Sequence, residues 1–130
     1  MRTQQLILSL TAVTAMMLFT GCMKTYVSGV GEETYRLTRG PTYWEFHVDG
    51  DIQDVFNAAV AGCNDLDLRI YHKKADNVTG LIEGNFADMT DYAVNLYQVS
   101  SVGTRVRIHI GITAHQGRTE QLADAIVKNM

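Results

Sequence analysis

From Leu68 to Ile112 the chain alternates between apolar and polar residues. Four strand-like segments follow one another: Leu68 to Lys73, Val78 to Phe86, Tyr92 to Val99 and Arg105 to Ile112. They are separated by Ala75-Asp76-Asn77, Asp88-Met89-Thr90 and Ser101-Val102-Gly103. Turns this short join antiparallel neighbours, because a parallel crossover needs a dozen residues or more. The stretch therefore reads as an antiparallel meander, and it restricts what the flanking segments can build. Side chains have period 2, so opposed residues must face the same way. For the last hairpin, a three-residue turn with Gly103 left-handed at its end meets that condition. It sets Leu96 opposite Ile108, Val94 opposite Ile110 and Tyr97 opposite Arg107. The same rule pairs Ile70 with Ile82 across Asn77, and Ile82 with Leu96.

One face of this meander collects Leu68, Ile70, Val78, Ile82, Phe86, Tyr92, Val94, Leu96, Val106, Ile108 and Ile110. Gly80 and Gly84 fall on it too and leave room for close packing of a helix. His72 lies near it at a strand end, where a core histidine is the plain reading. The other face collects Arg69, Tyr71, Lys73, Leu81, Glu83, Asn95, Tyr97, Arg105, Arg107 and His109. Arg69 is expected to face Glu83 across one strand pair.

Two helices flank the meander. Tyr43 to Val48 alternates as a half-buried strand, with Trp44, Phe46 and Val48 on one side. Asp49-Gly50-Asp51 turns the chain, and Asp51 is a good N-cap with Asp54 in the first turn. Ile52, Val55, Phe56, Ala59, Val60 and Cys63 then form the apolar stripe of a helix running to about Asp65. Cys63 is thereby expected as a buried, inert thiol. A second helix, about Arg118 to Asn129, presents Leu122, Ala125, Ile126 and Met130. Two helices on one face of a four- to five-stranded antiparallel sheet make a two-layer α+β domain, in the order β-α-β-β-β-β-α.

The first 21 residues are set apart. Arg2 supplies a positive start, and Leu6 to Phe19 (LILSLTAVTAMMLF) is uncharged. That run falls short of the roughly 20 residues a membrane-crossing helix needs and suits a signal peptide. It ends in Leu18-Phe19-Thr20-Gly21-Cys22, which resembles the bacterial lipobox. The resemblance implies diacylglycerol transfer to the Cys22 thiol, cleavage before it and acylation of the new amino group. Several acyl chains on one residue suffice for stable anchoring. Met23 stands where an aspartate would signal inner-membrane retention, which favours the outer membrane. Met23 to Gly31 reads as a flexible tether, and Glu32 to Leu37 as a short edge strand. Residues 41–130 then form the single domain, with the lipidated cysteine and tether in 22–40.

The lipobox, the unit EFHVDGDIQDVFNAAVAGCNDLDLRI, the strand TRVRIHIGI and the helix EQLADAIVKNM together resemble a family of short bacterial lipoproteins classed as a domain of unknown function. The resemblance implies an envelope location and this fold. It brings no activity and no functional residues. Asp67 departs from it, standing where a glycine is expected after the first helix.

No catalytic signature is legible. The four histidines form neither an HxH nor an HExxH pattern. His109 falls two strands from Glu83, roughly 10 Å away and too far to share a metal. Neither GxSxG nor SxxK occurs. The chain is expected not to be an enzyme and to take no cofactor or metal. A formal charge of −3, more negative once Arg2 is removed, argues against nucleic-acid binding. The constellation worth naming is the polar sheet face, where Tyr71, Leu81, Tyr97, Arg105, Arg107 and His109 gather. Aromatic residues and arginine are enriched in interface cores, so such a face on an anchored protein suits an envelope protein or peptidoglycan. The plainer reading is a solvated face, which antiparallel sheets commonly keep. An alternative function is a small-ligand or enzyme-accessory module, with a pocket between helices and sheet beside Gly80, Gly84 and His72.

Overall fold

The computed structural model describes residues 25–30 and 33–130, with side chains described from 35 onward. Residues 1–24, which include the segment read as a signal peptide and Cys22, lie outside the described residues. The chain runs β1 (Thr25–Val30), β2 (Glu33–Arg39), β3 (Trp44–Asp49), α1 (Ile52–Asp65), β4 (Arg69–Ala75), β5 (Thr79–Asn85), β6 (Asp91–Ser100), β7 (Gly103–Ile110) and α2 (Gln116–Lys128). The strands form one sheet in the order β1-β2-β3-β7-β6-β5-β4, every neighbouring pair antiparallel. The fold is α+β, with helix side chains and one sheet face sharing a single core.

The sheet has seven strands where four or five are expected from the sequence. One difference is the segment read as a tether. Thr25–Val30 pairs with β2 from Thr25↔Thr38 to Val30↔Glu33. Ser28 and Gly29 interrupt the apolar alternation that marks a strand. What recruits the segment is the unpaired ladder along β2.

β3 closes the architecture by lying against β7, with Trp44↔Ile108 and Phe46↔Val106. The core is assembled from Phe46, Ile82, Val94, Leu96, Val106 and Ile108 of the sheet under Val55, Leu122 and Ile126 of the helices, all fully buried. Trp44 is buried with its Nε1 donating to the Ala114 carbonyl at 3.1 Å, so its one polar atom is satisfied.

Local chemistry explains the helix ends. The Asp51 carboxylate accepts from the Asp54 N–H at 3.0 Å, satisfying an orphan donor of α1. At the other end the Asp67 N–H donates to the Asn64 carbonyl and the Leu68 N–H to the Cys63 carbonyl, both at 3.0 Å. Those two bonds are a Schellman motif. It needs a left-handed residue, and Asp67 takes that conformation at φ 55°. Aspartate tolerates this better than most residues, which accounts for its presence where the family resemblance calls for glycine. α2 begins two residues earlier than expected because His115 caps it, its Nδ1 accepting from the Arg118 N–H at 3.2 Å. The helices cross at Gly62, where a Cβ would stand 2.9 Å from the Ile126 backbone nitrogen.

The strand registers differ from the expected ones by shifts that mostly keep the faces intact. Leu96 opposes Val106, Val94 opposes Ile108 and Tyr97 opposes Arg105. The β6–β7 turn uses a bulge between Gln98 and Ser100 rather than a left-handed Gly103. Gln98 holds it: its amide nitrogen donates to the Gly103 carbonyl at 3.2 Å, and its amide oxygen accepts from the Ile52 N–H at 2.8 Å. The hairpin is thus tied to the start of α1. On the other side, Ile82 opposes Val94 and Lys73, not Leu96 and Ile70. Asp76 builds a wider turn than expected by accepting from the N–H groups of Val78 and Thr79, both at 2.8 Å. Val78, expected on the core face, is consequently exposed in that turn.

A bulge between Ile70 and His72 changes faces outright. Beyond it His72 opposes Glu83 and is exposed, so it is not a core histidine. Lys73 opposes the inward Ile82, and Arg69 opposes Asn85 rather than Glu83. The two glycines admit sheet atoms, not helices. A Cβ at Gly80 would meet the Leu96 side chain, and one at Gly84 would fall on the Arg69 carbonyl.

Tyr92, directly opposite Gly84, lays its ring across the glycine and donates its hydroxyl to the Arg69 carbonyl at 3.0 Å. The same hydroxyl interacts with Cys63, which is fully buried and free. Burial pushes the Cys63 thiol up to about 11, against the smaller opposing pull of Tyr92. A thiol held above its ordinary value favours the folded state fully below pH 9, and that contribution is lost as pH rises toward 11. In the folded protein at pH 8 Cys63 is therefore expected to resist a disulfide reagent and to react at once when guanidinium unfolds the chain. Rapid reaction of the folded protein would contradict the burial.

Candidate functional site

The face of the sheet away from the helices is built by the alternate residues of β3, β7, β6, β5 and β4. Three rows cross it. His109, Ala93, Glu83 and His72 make one, and Glu45, Arg107, Asn95, Leu81 and Lys74 the next. His47, Arg105, Tyr97 and Thr79 make the third. Most of these side chains are half-buried, although nothing from a helix covers them. They are covered by one another.

Arg107 is the centre. Its Nε donates to Glu45 Oε2 at 2.8 Å. Its guanidinium carbon stands 4.6 Å from the Tyr43 ring centroid and 5.3 Å from that of Tyr97. The cation thus lies between two aromatic rings, an arrangement arginine favours through its flat, weakly hydrated fork. The bond to Glu45 raises the Arg107 pKa further above its ordinary value. His109 packs against the outer side of Tyr43 with ring centroids 5.3 Å apart. Its pKa is lowered, first by burial and then by the nearby Arg107 charge, against the opposing effect of its hydrogen bond to the Thr42 backbone. At neutral pH His109 is accordingly an uncharged, aromatic part of the ridge. Arg105 lies in register between His47 and Tyr97, with its Nε buried.

Beside this ridge the face dips into an open hollow of about 330 Å³. Leu81 and Asn95 line it together with Tyr97, Thr79, Lys74 and Asp76. Tyr97 therefore belongs both to the ridge and to the hollow. Bonds from the backbone N–H groups of Val78 and then Thr79 hold the Asp76 carboxyl below its usual range, so it stays charged beside Lys74. The surface offers planar aromatic and guanidinium faces and, in the hollow, the Asp76 carboxylate, the Lys74 ammonium, the Thr79 hydroxyl and the Asn95 amide. Such groups can hydrogen-bond polar atoms and stack on flat apolar ones. Within the hollow the Thr79 hydroxyl donates to the Asp76 carboxylate at 3.2 Å. Among the described residues, no three His, Cys, Asp or Glu side chains gather as metal ligands do.

Of the side chains expected on this face, Leu81, Tyr97, Arg105, Arg107 and His109 are brought together. Tyr71 is not. It is the extra residue of the β4 bulge and is 57% exposed. The bulge removes it from the row it would otherwise join. Tyr43, Glu45 and Lys74 are among the members that the sequence does not single out, with His47, His72, Asp76 and Thr79. The alternation of Tyr43, Glu45 and His47 opposite Trp44, Phe46 and Val48 was the available signal. It becomes informative only once β3 is known to lie beside β7.

The alternative pocket beside Gly80, Gly84 and His72 has a different geometry from the expected one. Leu96 covers Gly80, Tyr92 covers Gly84, and His72 lies in register on the opposite face. No described helix is long and apolar enough to cross a membrane.

A comparison with curated proteins finds no match. A family model described as "Protein of unknown function (DUF3568)" matches residues 5–129. That span takes in the β3–α1 unit, the meander and α2, and the chain belongs to this family.

Proposed function

We propose that this chain is a lipid-anchored protein of the bacterial cell envelope. It is held by a diacylglyceryl group on Cys22, on the periplasmic side of the outer membrane. It acts by associating with another envelope component, a protein or peptidoglycan, through the helix-free face of its sheet, and it is not a catalyst. The observation that carries the binding part is Arg107, bonded to Glu45 and held between Tyr43 and Tyr97 beside the hollow. Ordering a long cationic side chain between two rings costs conformational entropy, and the result is a rigid aromatic and arginine surface of the kind that anchors interfaces. The leader and the Leu18-Phe19-Thr20-Gly21-Cys22 motif support the anchor.

The test is affinity capture of the lipidated protein from crosslinked envelopes. Truncating such an anchor costs about 2 kcal/mol or more. Tyr97→Ala with Arg107→Ala is therefore expected to weaken association by roughly thirtyfold, with an unchanged circular dichroism spectrum. An unchanged set of captured partners would remove this face from the function.

A further inference from the structure

We propose that the helix-free face binds a sugar that carries a carboxylate, with the sugar ring on Tyr97 and the carboxylate on Arg105. The inference rests on the reading of that face as the binding surface, and it chooses a glycan over a protein as the partner. Tyr97 stands in its row between Arg105 on one side and Thr79 on the other. It is half-buried, and the Arg107 guanidinium carbon lies 5.3 Å from its ring centroid. A ring held in this way is a platform for the C–H side of a pyranose, which is apolar enough to stack on an aromatic face. The hollow beside it serves the hydroxyls at the rim of such a sugar. There the Asp76 carboxylate accepts, the Lys74 ammonium donates, and the Asn95 amide does both. Leu81, Ala75 and Gly80 leave a small apolar area for ring carbons. A volume of about 330 Å³ is at the low end for small-molecule sites. It fits a short stretch of sugar chain, and because the hollow is open the chain can continue past it.

Charge selects the carboxylate. Glu45 matches Arg107, and the other ion pair among the described residues joins Arg118 to Asp88. Arg105 and Lys74 are therefore left without an anionic partner on either side of Tyr97. Arg105 is half-buried, and its Nε is covered by protein without meeting an acceptor. A cation in that position is costly while unmatched, and a carboxylate matches it by taking the guanidinium fork with two oxygens. Setting Arg105 and Lys74 against Asp76 leaves a surplus of one positive charge around Tyr97, which one carboxylate cancels. Glu83 stands a row further on and outside the hollow. A phosphate monoester would bring about two negative charges beside an Asp76 that stays ionised. The chain as a whole is formally −3, so an acidic glycan is held at this spot and not by the general field of the protein.

Nuclear magnetic resonance of the ¹⁵N-labelled full chain, isolated from membranes in nonionic detergent, reads the site. The probes are N-acetylmuramic acid and glucuronic acid, which carry a carboxylate, and N-acetylglucosamine, which does not. Both acids are expected to move the amide signals of Thr79, Asn95, Tyr97 and Arg105, and N-acetylglucosamine to bind about tenfold more weakly or less. Arg105→Gln should bring the acids down to the level of N-acetylglucosamine. Arg105→Lys, which keeps the charge and loses the fork, should fall between, and Tyr97→Leu should weaken all three. Binding of the muramic acid alone supports the proposal with peptidoglycan as the source, and binding of the glucuronic acid alone supports it with a uronic-acid polysaccharide. Equal binding of N-acetylglucosamine, or acids that bind Arg105→Gln as well as wild type, overturns it. If no sugar binds while protein capture from envelopes still depends on Tyr97 and Arg107, the glycan is overturned and the face stands. If no sugar binds and capture ignores that pair, both readings fall.

Discussion

Gly84→Ala is expected to destabilise the domain by on the order of 3 kcal/mol, seen as a fall of roughly 10–20 °C in the thermal midpoint. The reason lies in three strands at once. Gly84 opposes Ile70 on one side and Tyr92 on the other. Its missing side chain is the space through which the Tyr92 hydroxyl reaches the Arg69 carbonyl. An added Cβ meets both the hydroxyl and the carbonyl, and the carbonyl is backbone that cannot move without opening the β4–β5 ladder. Gly80→Ala is the control. There the Cβ meets only the Leu96 side chain, 3.1 Å from its Cδ1, and a leucine can turn aside. Thermal unfolding by circular dichroism should rank Gly84→Ala far below Gly80→Ala. A midpoint for Gly84→Ala within about 4 °C of wild type, roughly 1 kcal/mol, would contradict the packing described.

Phe46→Ala is expected to cost about 3–5 kcal/mol. Phe46 is fully buried at the point where β3 joins β7, opposite Val106. Its ring lies 5.0 Å from that of Tyr35, whose hydroxyl donates to Asp124 of α2. Truncation therefore opens a cavity beneath both the sheet junction and the contact with the second helix. Phe46→Leu fills most of that volume and should recover more than half of the loss. Guanidinium titration should show the midpoint falling while the slope is unchanged. A Phe46→Ala midpoint equal to that of wild type would mean that the β3–β7 junction does not carry the core.

Much of the fold was legible because local signals agreed. The α1 stripe from Ile52 to Cys63 and the Asp51 cap define the helix without tertiary information. The alternation in Tyr92 to Leu96 and Val106 to Ile110 assigns core and solvent faces, and the assignment survives a register slip of two because the side-chain period is also two. Three features were not legible, each for a physical reason. β1 forms because β2 offers it a ladder, and its own residues carry little strand signal. The Tyr71 bulge is set by how Arg69 and Ile70 must lie to receive the Tyr92 hydroxyl, which is a contact between distant segments. The β6–β7 turn is decided by Gln98 reaching Ile52 across 46 residues of chain.

The candidate site divides in the same way. Leu81, Tyr97, Arg105, Arg107 and His109 follow from alternation alone. Glu45 and Tyr43, which hold Arg107 in place, become visible only when the meander is seen to close against β3. That closure turns a scatter of polar strand residues into one surface.

The proposed anchor on Cys22 underlies the proposed envelope role, and metabolic labelling with palmitate tests it directly. Label is expected in the wild-type band and absent from Cys22→Ala, with the variant lost from the membrane fraction. Equal label in both, or none in the wild type, would contradict the anchored protein described.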